Sequence, residues 1–178
     1  MKRDKTFGIY VPSYKRYDCI KTDKVLNDCT YVVRESEEQL YRDAGVRKIL
    51  AAPDQEIDSL PKIRQWIIDH TPEDIIVQID DDIERFSYVN KVNMEEIPDP
   101  DTIDAELVRI GQILSDLNLG FASIRMQESV IKYNEEFRFS STIGLVCWFN
   151  KASLKSRYDS NVRFKADTDF QLSELLNN

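Results

Sequence analysis

Three consecutive carboxylates, Asp80, Asp81 and Asp82, directly follow the apolar segment 75–79. A short apolar run rich in β-branched residues is typical of a buried strand. Open α/β sheets bind their ligands at the carboxyl ends of such strands. Because packed carboxylates repel one another unless a cation neutralises them, the cluster indicates a divalent metal that also carries a phosphate. The alternative is that the three acids cap the following segment or face water.

A second acidic pair, Asp167 and Asp169, precedes the apolar positions Phe170, Leu172 and Leu175 near the end of the chain. This spacing predicts a helix that opens on two acids. Asp is a preferred N-cap residue, so one of these carboxylates could serve only to cap the helix. The other use of a carboxylate beside a bound phosphate is as a general base for an incoming hydroxyl.

The first half of the chain alternates apolar segments with helical patterns. The strands are predicted at 7–11, 30–33, 48–52 and 75–79, and the helices at 18–26, 36–44 and 60–70, with Ser36 as an N-cap and Gly45 as a stop. Strands joined by single helices predict a parallel sheet with helices on both faces. Right-handed crossovers then bring four strand ends to one edge. This edge would collect the segments 12–16, 34–35, 53–54 and 80–82.

The second half has a different pattern. Segment 93–101 is acidic, contains two prolines and is predicted to be a loop. An apolar stripe on a long amphipathic helix follows, formed by Ile103, Leu107, Ile110, Leu114 and Leu117. Further strands are predicted at 121–124 and 143–149. The sequence contains no repeat, linker or low-complexity tract, so we expect a single domain over residues 1–178.

Composition excludes several classes of function. The net charge of −8 argues against broad nucleic-acid binding, although the first 24 residues carry seven basic and three acidic side chains. The five glycines form neither a dinucleotide-binding nor a P-loop motif, the sequence has no serine elbow, and a single histidine, His70, rules out a two-histidine metal site. Three widely spaced cysteines support no disulfide framework or zinc knuckle, and Cys147 is expected to be a small buried apolar residue.

No apolar stretch approaches the roughly 20 residues that span a bilayer, and the N-terminal apolar run is too short for a signal peptide. The cytoplasm is therefore the expected location.

Four segments together resemble the GT-A fold glycosyltransferases. They are the helical run 60–67, the strand with its acids at 76–83, the first-strand loop 10–16, and the run 167–170 that opens the last helix. The resemblance covers essentially the whole chain. It implies a Rossmann-like three-layer α/β/α fold with a mostly parallel central sheet. Within this fold the chain is most similar to small phage and bacterial glycosyltransferases, including the TET-associated ones linked to hypermodified DNA bases.

The resemblance implies a role for each matching residue. Asp80 and Asp82 look like the Asp-x-Asp pair that binds Mn²⁺ or Mg²⁺, with Asp82 the more direct ligand and Asp81 directed towards the ribose or a metal-bound water. The nucleotide of a nucleotide-sugar donor would be bound by Asp80 and Asp81 with Pro12, Ser13, Tyr14, Arg16, Glu35 and Arg64. Asp167, with Asp169 as second candidate, resembles the acid that activates the acceptor hydroxyl, and a hydroxymethylated DNA base is one candidate acceptor.

Three alternatives stay open at this point. A nucleotidyltransferase on a similar sheet usually has a glycine-rich first loop, which segment 12–16 lacks. An inactive relative that binds nucleotide and metal is compatible with Ala166, which stands where relatives often have an acid, and with a chain that ends at Asn178 and is either a minimal enzyme or a fragment. For Arg64, the helical stripe Leu60, Ile63 and Ile67 predicts a position on the flank of the helix, and the alternative role is that of a surface arginine.

Overall fold

The computed structural model describes residues 4–90, 92–124, 144–162 and 164–177. Its strands are β1 (Phe7–Pro12), β2 (Thr30–Arg34), β3 (Ile49–Ala52), β4 (Ile75–Ile79), β5 (Phe86–Val89), β6 (Met94–Ile97), β7 (Phe121–Ile124) and β8 (Val146–Asn150). Its α-helices are α1 (Glu38–Asp43), α2 (Leu60–His70), α3 (Pro100–Asp116) and α4 (Ala166–Asn177), and two short 3₁₀ turns cover Thr22–Lys24 and Glu35–Glu37.

Six of the strands form a central sheet in the order β3-β2-β1-β4-β8-β7. Strands β1 to β4 pair in parallel, whereas β8 is antiparallel to both of its neighbours, β4 and β7. The sheet is therefore mostly parallel, as the sequence predicts. The carboxyl ends of β1, β2, β3 and β4 share one edge, and the residues that follow these strands lie along it.

The sheet is covered on both faces, which gives the three predicted layers. On one face α3 packs through Ile103, Leu107 and Leu114. On the other face α2 and α4 pack through residues that include Ile67 and Phe170. Because β4 lies at the centre and is buried over its whole length, it needs apolar side chains on both of its faces.

Close packing explains the glycine in the middle of α3. A Cβ atom at Gly111 would lie 2.7 Å from Cε1 of Phe7, so only glycine lets this helix approach the sheet without displacing that ring.

On β8, Cys147 is fully buried, as expected for a small apolar residue, and burial raises the pKa of its thiol to about 12.

The helix predicted at 18–26 is wrong, since only the 3₁₀ turn Thr22–Lys24 forms there. The Thr22 hydroxyl donates a hydrogen bond to the Asp80 carbonyl (2.8 Å) and accepts one from the Ile83 amide (3.0 Å). These contacts attach the segment to the residues after β4. Such distant partners cannot be seen in a local pattern.

Two further boundaries differ from the prediction. Helix α1 begins at Glu38, and Ser36 is not its N-cap, because the Ser36 amide and hydroxyl both donate to the Asp54 carboxylate. The loop predicted at 93–101 contains β6, which forms a two-stranded antiparallel sheet with β5. Helix α3 then begins at Pro100, with the Asp99 carboxylate accepting from the amides of residues 101 and 102.

The remaining predicted elements form. The strand predicted at 143–149 is observed as β8, and residue 143 lies outside the described residues. Within the ranges that the structure describes, no helix combines the length and the apolar content needed to cross a bilayer.

Candidate active site

The loop after β1 contacts the acids after β4 through a buried serine. The Ser13 hydroxyl donates to Asp81 Oδ2 (2.6 Å) and also lies 2.7 Å from the Tyr41 hydroxyl. The Tyr41 hydroxyl in turn accepts a hydrogen bond from the Arg16 amide (3.1 Å). Since Ser13 is only 4% exposed, this contact fixes the position of the loop relative to Asp81.

Arg16 forms an exposed ionic cluster with two of the acids. Its Nη1 atom lies 3.2 Å from Asp82 Oδ2 and 3.6 Å from Asp81 Oδ1. The Arg16 and Asp82 side chains are each 48% exposed, and Asp81 is 14% exposed. The charge of Asp81 and the hydrogen bond to Asp82 raise the pKa of the Arg16 guanidinium. We call Arg16, Asp81 and Asp82 the exposed cluster.

Arg64 forms a second ionic cluster that is buried. Its Nη2 donates to Asp80 Oδ1 at 2.7 Å, and its Nε lies 3.2 Å from Asp167 Oδ1. The residue is 3% exposed, which excludes the role of a surface arginine and places it deeper than the predicted flank of α2. We call Arg64, Asp80 and Asp167 the buried cluster.

In the buried cluster, burial and the neighbouring opposite charges have opposing effects on the pKa values of Asp80 and Arg64. Burial raises the pKa of Asp80, and the neighbouring guanidinium only partly offsets this effect. Burial acts to lower the pKa of Arg64, but Tyr158, Asp167 and Asp80 outweigh it, and the pKa is raised. Arg64 is therefore a permanent cation between two carboxylates that come from distant parts of the chain.

Asp167 lies in the first turn of α4 and points into this cluster. Its Oδ1 accepts a hydrogen bond from the Tyr158 hydroxyl (3.1 Å). Tyr158 is buried, stacks on Phe170 at a centroid distance of 4.4 Å, and has a pKa well above its ordinary value because of this burial. Among the described contacts, the Asp167 carboxylate does not cap α4. Asp169 is half-buried in the same turn, and the described contacts do not connect its carboxylate to the buried cluster.

The other predicted nucleotide-binding residues surround the first-strand loop. Pro12 ends β1 and is buried. Tyr14 is 46% exposed, and the Arg34 guanidinium lies 4.1 Å from the centroid of its ring. Glu35 is exposed in its 3₁₀ turn. Its neighbour Glu37 is the buried acid there and accepts a hydrogen bond from the Lys15 amide (2.8 Å).

Four residues that support the site have no signal in the sequence. Thr22, Glu37, Tyr41 and Tyr158 each bind a residue of the site from 9 to 58 positions away along the chain. Their residue types are common and their spacing is not that of a motif. Their contacts with the site depend on the sheet order and on the path of each loop, which the sequence does not show directly.

The exposed cluster supplies some, but not all, of the oxygen ligands that a hard divalent cation needs. Within the described residues, no three His, Cys, Asp or Glu side chains lie together as a metal site. Mg²⁺, however, is commonly held by one or two carboxylates together with substrate phosphates and water. Asp82 supplies one such carboxylate, Asp80 is the other predicted ligand, and Arg16 already places a positive charge against Asp82. The donor set therefore fits a metal that binds together with a diphosphate.

Solved structures with similar architecture are GT-A fold glycosyltransferases. S. aureus TarS (residues 1–349) in complex with UDP is 12% identical with a TM-score of 0.56, over 97% of this chain and 55% of that chain. The same protein in complex with UDP-GlcNAc is 11% identical with a TM-score of 0.58, over 97% and 54%. M. tuberculosis glucosyl-3-phosphoglycerate synthase is 12% identical with a TM-score of 0.51, over 85% and 59%.

At these identities the likeness shows the fold alone, and the chain spans little more than half the length of these structures. The fold is the GT-A fold that the sequence predicts. The model of one family, the TET-associated glycosyltransferases, matches residues 7–178, and the chain belongs to this family. No curated protein sequence matches the chain.

Proposed function

We propose that this protein transfers a sugar from a nucleotide-sugar donor to a hydroxyl group of an acceptor, with Mn²⁺ or Mg²⁺ as cofactor. The observation that carries this proposal is the buried cluster. Through Arg64 it joins Asp80, at the end of the central strand, to Asp167, at the start of α4. A donor bound at the strand ends and a base at the helix start would therefore be held at a fixed separation.

The donor nucleotide would lie along the loop after β1. Ser13 is already hydrogen-bonded to Asp81, and Arg16 beside it is exposed and able to reorient. Tyr14 offers a half-exposed aromatic ring for a base. The TarS structures in complex with UDP and with UDP-GlcNAc support a nucleotide-sugar donor.

The metal would be held by Asp82, with Asp80 predicted as its second carboxylate. Because Asp80 is already bonded to Arg64, we assign its second oxygen, Oδ2, to the metal or its water shell. When bound, the metal neutralises negative charge that develops on the departing diphosphate. The pairing of Arg16 with Asp82 is exposed and weak, so the guanidinium can leave it and bind the diphosphate.

Asp167 is proposed as the general base, with Asp169 as the second candidate. Tyr158 and Arg64 both engage Oδ1 of Asp167, which leaves Oδ2 to accept a proton. The acceptor oxygen attacks the anomeric carbon as its proton passes to Asp167. The bond from that carbon to the diphosphate breaks, and the diphosphate leaves with the electron pair.

The acceptor is proposed to be a nucleic acid that carries a hydroxymethylated base. The support for this assignment is the membership of the TET-associated family. The net charge of −8 requires that any such binding depend on a few local contacts and not on a broad basic surface. The cytoplasm of a bacterium or of a phage-infected host, and a single domain over residues 1–178, remain predictions.

A thermal-shift screen of nucleotide sugars, with and without Mn²⁺, tests the donor assignment directly. A ligand that binds only the folded state raises the apparent stability, so the correct donor with Mn²⁺ is expected to raise Tm more than either component alone. Slow donor hydrolysis in the same samples would separate an active transferase from an inactive relative. Absence of any shift with UDP-sugars and GDP-sugars would contradict the proposed function.

A further inference from the structure

Two loops that border the candidate site contain the same unusual local structure. In each, an exposed aromatic residue precedes a lysine whose backbone is left-handed. Lys15 has φ 55° and follows Tyr14, and Lys165 has φ 58° and follows Phe164. The ammonium group of each lysine lies over the preceding ring, at 5.1 Å and 5.8 Å from the ring centroids. A positive φ is uncommon for residues other than glycine, and two of the three such residues in the described ranges are these lysines.

The first pair has a visible structural support. The buried carboxylate of Glu37 accepts a hydrogen bond from the Lys15 amide and holds the backbone in its strained form. Ser13 and Arg16, on either side of the pair, contact the acids after β4. The Tyr14–Lys15 pair therefore lies on the donor side of the candidate site.

The second pair adjoins the candidate base. Lys165 directly precedes α4, because its carbonyl accepts the first helical hydrogen bond, from the Asp169 amide (3.0 Å). Two residues further on, Asp167 enters the buried cluster. The Phe164–Lys165 pair therefore lies directly before α4, the helix whose first turn contains the proposed base.

Helix capping does not account for Phe164. In a hydrophobic staple, a residue at this position packs against an apolar side chain at position 169, which here is Asp169. Phe164 is 82% exposed instead. An exposed aromatic ring three residues before the candidate base in the chain, with a cation next to it, has the composition of a site that stacks a planar ring and contacts a phosphate.

We infer that Phe164 and Lys165 form an acceptor subsite that stacks one nucleobase of a nucleic-acid strand and binds an adjacent phosphate. The inference rests on the proposed function, since it assigns the acceptor side of the same site. Phe164 supplies the flat face and the Lys165 ammonium supplies the charge. An enzyme that modifies a base must have that base outside the stack, and an exposed ring is a surface on which such a base can rest.

Binding of a fluorescent single-stranded 12-nucleotide DNA, followed by anisotropy at fixed salt, tests the inference. Stacking on an aromatic side chain is worth about 1–3 kcal/mol per base, which corresponds to a Kd about 5- to 150-fold weaker for Phe164→Ala. Phe164→Trp is expected to bind at least as tightly as the parent protein, and Phe164→Leu as weakly as Phe164→Ala. Leu176→Ala is the matched control, since Leu176 is 86% exposed at the far end of α4.

Calorimetry of UDP and of GDP with Mn²⁺ is run on the same samples. Unchanged nucleotide binding by Phe164→Ala, together with weaker DNA binding, supports the subsite. The inference is overturned if the parent protein does not bind the DNA, if Phe164→Ala binds it within 2-fold of the parent, or if Phe164→Leu restores binding. Any of these results together with normal nucleotide binding leaves the donor assignment intact, whereas failure of UDP and GDP to bind the parent protein contradicts the proposed function itself.

Discussion

The candidate site contains two arginine–carboxylate clusters that differ in their exposure to water. In the buried cluster the Arg64 side chain is 4% exposed and its two carboxylates come from β4 and α4. In the exposed cluster the Arg16 side chain is 48% exposed and both carboxylates follow β4. Residue types and distances are similar in the two clusters, so the surrounding protein makes the difference.

That difference separates what is fixed from what can be exchanged. Removing one partner of a buried pair leaves a charge without compensation and is strongly destabilising. An exposed pair is worth only about 0–1 kcal/mol, and water or a ligand can replace it. We therefore expect the buried cluster to hold the reacting groups in place and the exposed cluster to open when metal and diphosphate bind.

The largest expected effect is on catalysis, from Asp167→Asn. Asn keeps the size of the side chain and an oxygen for the Tyr158 hydroxyl, but it cannot accept the acceptor proton. We expect transfer to fall by about 10²- to 10⁴-fold with donor affinity retained, measured by steady-state kinetics and calorimetry.

Asp169→Asn is the matched control for this substitution, because it changes a carboxylate in the same turn that does not join the buried cluster in the described contacts. Turnover close to that of the parent protein in Asp167→Asn would remove the base assignment. It would transfer the role to Asp169 or favour a retaining mechanism that needs no such base.

The next largest effect is on folding, from Arg64→Ala. This change leaves two partly buried carboxylates without their cation, and we expect the free energy of unfolding to fall by about 3 kcal/mol, the lower end for a broken buried pair. The lower end applies because the Asp80 and Asp167 side chains keep 30% and 27% of their exposure. Urea denaturation measures the change, with Arg16→Ala as the exposed counterpart that should cost at most about 1 kcal/mol.

The cost of Arg64→Ala should also depend on pH. Burial raises the pKa of Asp80 in the folded state, so the folded protein takes up a proton more readily than the unfolded chain. The contribution of this group to stability is therefore greatest at low pH and is lost as pH rises through the folded-state pKa. Without Arg64, Asp80 should protonate more readily still. The loss in free energy of unfolding caused by Arg64→Ala should therefore be smaller at about pH 5 than at about pH 7. A penalty that does not depend on pH would contradict an electrostatic origin.

Much of the fold could be predicted from local pattern. Helix α2 and strand β4 have their predicted bounds, because an apolar stripe at helical spacing ends before Pro72 and a β-branched run follows it. The convergence of the four parallel strand ends at one edge followed from topology alone. Asp80, Asp81 and Asp82 could be placed at that edge for the same reason.

What could not be predicted depends on contacts between distant residues. The segment around Thr22 has a helical pattern, but its hydroxyl bonds to residues 58 and 61 positions away, and only a 3₁₀ turn forms. The burial of Arg64 was missed because a charged residue on an amphipathic helix normally faces water. Its two carboxylate partners become visible only once β4 and α4 are placed side by side.

A smaller effect, on binding, is expected from the exposed cluster. Asp82→Ala should abolish the Mn²⁺-dependent part of nucleoside diphosphate binding without unfolding the protein.

Arg16→Ala should change metal binding and nucleotide binding in opposite directions. It removes a competitor for Asp82, so Mn²⁺ alone should bind up to about 5-fold more tightly, the equivalent of an exposed pair. It also removes a donor to the diphosphate, so nucleotide affinity should fall by about 1.5–3 kcal/mol.

Calorimetry with Mn²⁺, with UDP or GDP, and with both together separates these contributions. Asp28→Ala is a suitable control, since Asp28 forms an exposed ion pair with Lys48 remote from the candidate site. Unchanged nucleotide affinity in Asp82→Ala would exclude the metal assignment. A fall in Mn²⁺ affinity in Arg16→Ala would show that the exposed cluster does not exchange its arginine for the metal.

The smallest predicted effect tests whether the buried cluster extends to Tyr158. Tyr158→Phe keeps the ring that stacks on Phe170 but removes the hydroxyl that donates to Asp167. The loss of one such hydrogen bond is worth about 0.5–1.5 kcal/mol, so kcat should fall by about 2- to 13-fold if the hydroxyl orients the base. The KM for the donor should stay the same, because the substitution does not reach the loop after β1.

Tyr10→Phe is the matched control, since it deletes a similar hydrogen bond from a buried tyrosine to Glu73 without touching the buried cluster. Equal losses of stability in the two variants, with kcat reduced only in Tyr158→Phe, would place Tyr158 among the groups that position the base. A kcat that stays at the parent value would limit Tyr158 to packing and would confine the buried cluster to Arg64 and its two carboxylates.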